Sequence, residues 1–162
     1  MNKYILLIIS FVFFCISFTM QSNVQADMGN GNLSNGQRIY VPVYSHIYSG
    51  NKERPFLLTV TLSIRNIDVE SQIKINTVDY YATQGELLKK YIDESIILKP
   101  LESIRFVVPQ RDESGGSGAN FIVEWKSDKH VNTPIIEAIM IGTQMQQGVS
   151  FVSRGREIFP SP

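Results

Sequence analysis

Apolar and polar residues alternate over most of the chain after residue 38. The clearest example is the stretch 58–65, in which four aliphatic residues alternate with threonine, serine and arginine. A period of two places the aliphatic side chains on one face of a strand and the polar side chains on the other. The same pattern recurs as far as Ile158, so it predicts a series of half-buried strands rather than helices.

Irregularities in the alternation give further predictions. A slip near Asn76 predicts an irregular strand there, and Thr83-Gln84-Gly85 predicts a turn. The segment 86–92 is ambiguous because two of its charged residues have helical i,i+4 spacing, and a strand is favoured. The apolar run 135–141 is typical of a strand buried on both faces, although periodicity alone also permits a short buried helix.

Roughly seven to nine short strands joined by polar turns predict an all-β fold, an antiparallel β-sandwich. An immunoglobulin-like arrangement is the first expectation, on strand count alone, because the cysteine-tryptophan-cysteine pattern of true immunoglobulin domains is missing. A small closed β-barrel is the alternative. Residues 38–158 are expected to form one domain, and residues 159–162 a C-terminal tail.

The first 26 residues have the layout of a secretory signal peptide. Lys3 precedes an apolar run from Tyr4 to Met20, and Val24 and Ala26 are compact enough for the cleavage positions, so cleavage is expected before Asp27. The run is 17 residues long, shorter than the roughly 20 that cross a bilayer. We therefore expect a protein of the periplasm or extracellular space with no stable membrane span after cleavage. A membrane tether formed by an uncleaved leader is the alternative.

The composition of the chain after the leader gives expectations about its flexibility, its partners and its stabilisation. Residues 27–37 are rich in glycine and asparagine and are expected to form a flexible N-terminal arm, because few apolar groups are present to offset the entropy of ordering. Removing the leader would leave 14 basic against 15 acidic residues, with no block of like charges. A nucleic-acid partner normally requires a basic patch, so none is expected. Without Cys15 the chain has no cysteine, so the core must stabilise the fold without a disulfide.

Six segments together resemble a known family. They are YVPVYSHIYSG (40–50), LTVTLSIRN (58–66), VDYYATQGELLKKYI (78–92), GGSGANFIVEW (115–125), PIIEAIMIGT (134–143) and QGVSFVSRGREI (147–158). Their combination is similar to the bacterial exported family catalogued as domain of unknown function 3124, over about residues 38–158. The resemblance implies bacterial export but no activity, cofactor or catalytic residue, because the family has none established.

The first candidate site is the glycine loop, Gly115-Gly116-Ser117-Gly118. It misses the G-x-S-x-G nucleophile elbow at its last position, and a strand pattern rather than a helix follows, which disfavours Ser117 as a nucleophile. Consecutive glycines can direct several backbone N–H groups at an anion, and Arg154 could add charge if the final strand lies nearby. The structural interpretation is a tight positive-φ connection between adjacent strands, closed by Asn120.

The second candidate site is an alternating set of mainly aromatic residues: Tyr40, Pro42, Tyr44, His46 and Tyr48. If 39–48 is one strand, the intervening aliphatic residues face the core and this set faces outward. Proline then requires an edge position, because it lacks the ladder donor. Outward tyrosines near a histidine could stack on a sugar or dock a partner strand. The structural alternative is tyrosines that cover the rim of the sandwich.

These candidates favour a binding protein over an enzyme. His46 and His130 lie far apart in sequence with no short metal-ligand spacing, so neither a metal nor another cofactor is expected. We expect a non-enzymatic binding or adaptor module of the cell envelope, whose unknown partner is an envelope protein or glycan. The alternative is an envelope-polymer hydrolase in which Ser117, a histidine and a carboxylate converge only in the fold.

Overall fold

The structure is a computed structural model that describes residues 33–48, 54–144 and 147–159. The expected leader, residues 27–32 of the expected arm and residues 160–162 of the tail lie outside the described residues. Within them the chain forms twelve strands: β1 Leu33–Pro42, β2 His46–Tyr48, β3 Pro55–Leu57, β4 Thr59–Arg65, β5 Ile73–Tyr81, β6 Leu87–Lys90, β7 Ile96–Leu98, β8 Ser103–Val108, β9 Asn120–Asn132, β10 Ile135–Gln144, β11 Gln147–Arg154 and β12 Arg156–Glu157. In this part of the chain, no helix is long and apolar enough to cross a membrane.

The strands form two large antiparallel sheets and one small ribbon. The six-stranded sheet has the order β12-β1-β9-β5-β6, with β7 also paired to β5. The four-stranded sheet has the order β11-β10-β4-β8, and β2 pairs with β3. Inner-face residues of both large sheets share one hydrophobic core. The prediction of an all-β sandwich is confirmed, and no sheet built from the described residues closes into a barrel.

Local sequence patterns predicted several elements correctly. Residues 59–65 of the alternating stretch form β4, and Val60, Leu62 and Ile64 are fully buried. The expected slip near Asn76 is a register shift between Ile75 and Thr77 in the pairing of β5 with β9. The expected turn ends at Gly85, whose φ is +83°. The ambiguous segment that follows contains a strand, β6.

The expectation that β10 is buried on both faces is wrong. Ile136, Ala138 and Met140 point into the core, whereas Ile135 and Ile141 on the opposite face are 43 % and 50 % exposed. The aliphatic run reflects burial on one face and an apolar surface on the other.

The expected N-terminal arm differs from the structure at its C-terminal end. β1 begins at Leu33, and Leu33, Ser34, Gly36 and Gln37 pair with β9. The register shifts between Ser34 and Gly36, where the Ser34 Oγ accepts a hydrogen bond from the Gly36 N–H at 3.2 Å. Backbone pairing to a long neighbouring strand therefore orders residues that have few apolar side chains.

Trp125 is the largest fully buried side chain, and it links three strands of the six-stranded sheet. Its indole N–H donates a hydrogen bond to the Gln37 Oε1 at 3.3 Å. The Gln37 Nε2 in turn donates to the Glu157 Oε2 at 2.8 Å. β9, β1 and β12 are thus joined by side chains as well as by backbone pairing.

A buried asparagine fixes the loop between β4 and β5. The Asn66 Nδ2 donates to the backbone oxygens of Ser71, Leu98 and Lys99 at 2.8, 3.3 and 3.0 Å. Its Oδ1 accepts a hydrogen bond from the Asp68 N–H at 3.0 Å. One side chain therefore ties the start of β5 to the end of β7.

Asp68 completes this network with four accepted hydrogen bonds. Its Oδ2 accepts from the N–H and Nδ2 of Asn132, and its Oδ1 accepts from the N–H groups of Glu70 and Ser71. The bond from the Asn132 N–H, followed by those from Glu70 and Ser71, lowers the pKa of this carboxyl below its usual value.

Asp68 gives a prediction about acid stability. Because the pKa of Asp68 is lower in the folded than in the unfolded state, its ionised carboxylate stabilises the fold. This contribution is complete above the unfolded pKa of about 3.9 and is lost as the pH falls through the folded pKa. Between about pH 5 and pH 2, the free energy of unfolding of the wild type should therefore fall more steeply than that of Asp68→Asn. Urea denaturation at a series of pH values measures both curves. Parallel curves would contradict the role given to the carboxylate.

Candidate binding surfaces

The glycine loop connects the two large sheets. It follows β8 of the four-stranded sheet and precedes β9 of the six-stranded sheet, with a 3-10 turn at Gly116–Gly118. The sequence analysis interpreted the loop as a connection between adjacent strands. This is wrong, because β8 and β9 belong to different sheets. The chain has to cross the edge of the sandwich here, which explains a longer and more irregular connection than a hairpin.

Gly115 is packed too closely for any side chain. A Cβ at this position would lie 1.9 Å from the Tyr80 Oη and 2.7 Å from the Ser45 Oγ. Those two buried hydroxyl groups are hydrogen-bonded to each other at 2.9 Å. The glycine is needed because the loop closes directly over this pair.

The rest of the loop is fixed by Thr83. The Thr83 Oγ1 donates to the Gly115 oxygen and accepts from the Gly118 N–H, both at 2.9 Å. Gly116 has a φ of +77°, and its N–H donates to the Glu113 oxygen at 3.1 Å. These amides donate hydrogen bonds within the fold, so the contacts favour a structural role over an anion site.

Two tyrosines near the loop remain protonated at neutral pH. Burial raises the pKa of Tyr80, and the hydrogen bond with Ser45 opposes this shift in part. Burial also raises the pKa of Tyr91 to about 12, and its Oη donates to the Val107 oxygen at 3.2 Å. Neither phenol can act as a base under ordinary conditions.

The side chains of the aromatic set lie on the face that the alternation predicted. The set spans two strands, β1 and β2, instead of one. The alternating residues Ile39, Val41, Val43 and Ser45 are buried. Pro42 is the last residue of β1. The pairing of β12 with β1 ends at Tyr40, so Pro42 lies at an edge of the sheet, the position that a proline requires.

The three aromatic residues at the end of this set pack mainly against neighbouring rings. Tyr44 contacts Phe151 edge to face with ring centroids 5.8 Å apart. The His46 Nε2 lies 3.1 Å from the Tyr48 Oη, and Tyr48 is 53 % exposed. The His46 Nδ1 is buried without a hydrogen-bond partner in the described part of the chain. Tyr44 thus covers the rim, and Tyr48 is the most accessible member.

The sequence candidates fall into one cluster and one separate residue. The Ser45 N–H donates to the Gly116 oxygen, so the glycine loop adjoins the aromatic segment. Asn120 lies beside them at the start of β9, where it pairs with Pro42. Arg154 ends β11 opposite Glu137, on the outside of the four-stranded sheet. Among the described residues, no hydrogen bond or ion pair joins Arg154 to the loop.

The geometry gives no support to the hydrolase alternative. Over residues 33–48, 54–144 and 147–159, Ser117 makes no side-chain hydrogen bond to either histidine. His130 lies ten positions beyond Asn120 on β9, which corresponds to about 33 Å of strand. The same residues contain no group of three or more His, Cys, Asp or Glu that could hold a metal ion.

The outer face of the four-stranded sheet presents an apolar row. Val152, Ile139, Thr61 and Val107 are successive partners across β11, β10, β4 and β8. Val152 is 54 % exposed and Val107 is 43 % exposed, and Ile141 and Ile135 flank the row on β10. We call this surface, made of the outward residues of the four strands, the outer face. Sequence analysis assigned only the β10 residues of this surface to the core.

Charge on the outer face is mainly positive. Arg154, Glu137, Ser63 and Arg105 form the next row across the four strands. Arg65 lies on the same face, and its Nε donates to the Ser63 Oγ at 3.1 Å. In the described part of the chain, neither Arg105 nor Arg154 has a carboxylate within ion-pair distance. Three arginines against one glutamate give the face a net positive charge.

A groove with both polar and apolar lining residues lies on the six-stranded sheet, at the end away from the glycine loop. It consists of two adjoining depressions of about 300 and 490 Å³, which share Gln72, Ser127 and Asp128. The first also contacts Glu70 and Lys129, and the second also contacts Lys74, Asn76 and Lys126. Six strand positions separate Asn120 from Lys126, so the groove is about 20 Å from the glycine loop along β9.

Residues 36–158 match the family described as "Protein of unknown function (DUF3124)". The chain belongs to the DUF3124 family. The resemblance inferred from the six sequence segments is thereby confirmed. No curated protein matches the chain significantly. Among solved structures, the DUF3124 chain is similar to "Crystal Structure of Thermotoga maritima 1070", with 10 % sequence identity, coverage of 76 % of this chain and 96 % of that chain, and a TM-score of 0.46.

Sequence analysis of this DUF3124 chain missed the outer face and the groove for different reasons. The run 135–141 did indicate an unusually apolar strand, but the sequence does not show whether a second layer covers it. Lys74 and Lys126 belong to strands far apart in sequence, and only the register of β5 on β9 brings them together. No local motif indicates such a pair.

Proposed function

We propose that this DUF3124 protein is an exported, non-enzymatic adaptor that docks an acidic protein partner through the outer face of the four-stranded sheet. The observation that supports this proposal is the row from Val152 to Val107, whose two ends are exposed and whose central residues, Ile139 and Thr61, are half-buried. Four successive side chains span about 14 Å of surface. Contiguous exposed apolar patches of this kind mark interaction sites more often than scattered apolar residues do.

The chemistry of the face suits a protein better than a sugar. Its apolar members are aliphatic, with Thr61 between them, and none of the outward residues on its four strands is aromatic. Sugar recognition commonly relies on aromatic rings that stack on the ring of the saccharide. Branched aliphatic side chains on a pleated sheet instead match the apolar surface of another sheet, as between the layers of a sandwich.

The positive charge of the outer face indicates that the partner is acidic. Arg105 and Arg154 flank the apolar row and are exposed, so a partner with carboxylates around an apolar centre would pair with them. The signal-peptide pattern of residues 1–26 supports export to the cell envelope or beyond. An envelope protein with an acidic rim is therefore the partner we propose.

Differential capture tests the proposal. The purified mature chain is used as bait for an envelope fraction of the bacterium that produces it, beside the variant Ile141→Glu/Val152→Glu. The variant places one carboxylate in the apolar row and one beside it, and recovery of the partner should fall about tenfold or more, because each 1.4 kcal/mol of lost affinity is a factor of ten. Leu87→Glu is the matched control, since Leu87 is 42 % exposed but lies on the six-stranded sheet.

Two additional conditions make the result specific. Protease treatment of the envelope fraction should abolish capture by the wild type, whereas a glycan partner would survive it. Raising the salt concentration should weaken capture, because exposed charge pairs are screened beyond about 10 Å at 0.1 M salt. Equal recovery of the same protein by the wild type and by Ile141→Glu/Val152→Glu would count against the outer face.

A further inference from the structure

Two lysines face each other at one end of the groove. Lys74 on β5 and Lys126 on β9 are direct cross-strand partners, and both are exposed. Like charges in this position destabilise a sheet, because their side chains leave the same face about 5 Å apart. Over the residues that the structure describes, neither lysine has a carboxylate within ion-pair distance. A bound anion would offset this repulsion.

The groove also has acidic groups. Asp128 follows Lys126 by two positions on β9 and lines both depressions, and Glu70 lines the smaller one. Lys129 also lies there, so the smaller depression is mixed in charge but contains both carboxylates. A ligand that lies along the groove therefore meets the lysine pair in the larger depression and has Asp128 and Glu70 within reach in the smaller one.

The groove is held in place by the fold. The Ser127 Oγ donates to the Gln72 oxygen at 3.2 Å and so joins the two walls. The Asn66 and Asp68 network fixes the segment that leads into Gln72. Asn76 lines the larger depression at the β-bulge, and its Oδ1 accepts from the Ser95 Oγ at 3.4 Å.

Spacing indicates the size of the ligand. Two positions along a strand separate Lys126 from Asp128, which is about 7 Å. An extended dipeptide has the same length, since each residue spans at most about 3.6 Å. We propose that the groove binds a short zwitterionic peptide, with its C-terminal carboxylate between Lys74 and Lys126 and its ammonium group near Asp128 and Glu70. This site is independent of the outer face, and either can fail without the other.

Titration with alanyl-alanine, followed by ¹H–¹⁵N NMR of the mature chain, tests the peptide site. Saturable shifts should appear at the amides of Lys74, Lys126 and Asp128. Lys74→Gln/Lys126→Gln should weaken binding at least tenfold, and Asp128→Asn should weaken it severalfold. Lys90→Gln is the matched control, because Lys90 is an exposed lysine of β6 outside the groove, and it should bind as the wild type does.

Blocked and shorter ligands separate this site from general charge attraction. Acetylated and amidated alanyl-alanine lacks both charges and should bind at least tenfold more weakly, and free alanine is too short to reach both ends. The proposal is overturned if the blocked peptide binds equally well or if the lysine double variant binds normally. It is also overturned if no saturable shifts occur at about 10 mM alanyl-alanine.

Discussion

Replacing Trp125 with alanine is expected to lower the free energy of unfolding by about 3–5 kcal/mol. Trp125 is 1 % exposed and lies among the inner-face residues of both large sheets. The substitution leaves a large cavity and removes the link to Gln37. Since single domains are stable by only about 5–15 kcal/mol, this is a large share of the total.

Chemical denaturation followed by far-UV circular dichroism measures this loss. Fluorescence is unsuitable because Trp125 is the chain's one tryptophan. Trp125→Phe is the matched control and should lose less, because the ring fills part of the cavity. A loss below about 1 kcal/mol for Trp125→Ala, the range of ordinary substitutions, would contradict the position of this residue in the core.

Gly115→Ala is expected to lower the free energy of unfolding by about 1–3 kcal/mol. The new methyl group would overlap the Tyr80 Oη and press on the Ser45 Oγ, and both hydroxyl groups are buried and bonded to each other. The loop, the tyrosine or both must move. If the pair separates, each hydroxyl group loses its partner in a buried setting, which adds to the cost.

Gly148→Ala is the control for this substitution. Nothing lies within 4 Å of a Cβ at Gly148, and the residue is exposed on β11. Its effect should stay within about 0.5 kcal/mol. If Gly115→Ala were as mild as Gly148→Ala in thermal or urea denaturation, the packing of the loop on Tyr80 would be wrong.

The sequence alone predicts the fold class well because half-burial produces a local signal. β4 follows its alternation of aliphatic and polar residues, and the break in alternation at Asn76 marks the irregular register of β5. The turn at Gly85 follows from turn chemistry that is also local. The outward direction of Tyr44 and Tyr48 follows from the same period of two.

Properties that depend on a second element could not be predicted in this way. Gly115 is required because Tyr80 and Ser45 lie against it, and its own neighbours in sequence do not show this. The exposure of Ile141 depends on whether another layer covers β10. Lys74 meets Lys126 through strand register alone. The candidate surfaces inferred from composition were therefore incomplete, although the sheets that carry them were predicted.

Site-specific photo-crosslinking in cells tests most directly that the outer face, and not the glycine loop, is the docking surface. A photoreactive amino acid is placed at Val152 on the outer face, at Ser117 in the glycine loop or at Leu87 on the six-stranded sheet. We expect a discrete protein adduct from position 152 and none from positions 117 and 87. An adduct from position 117 with none from position 152 would contradict this expectation.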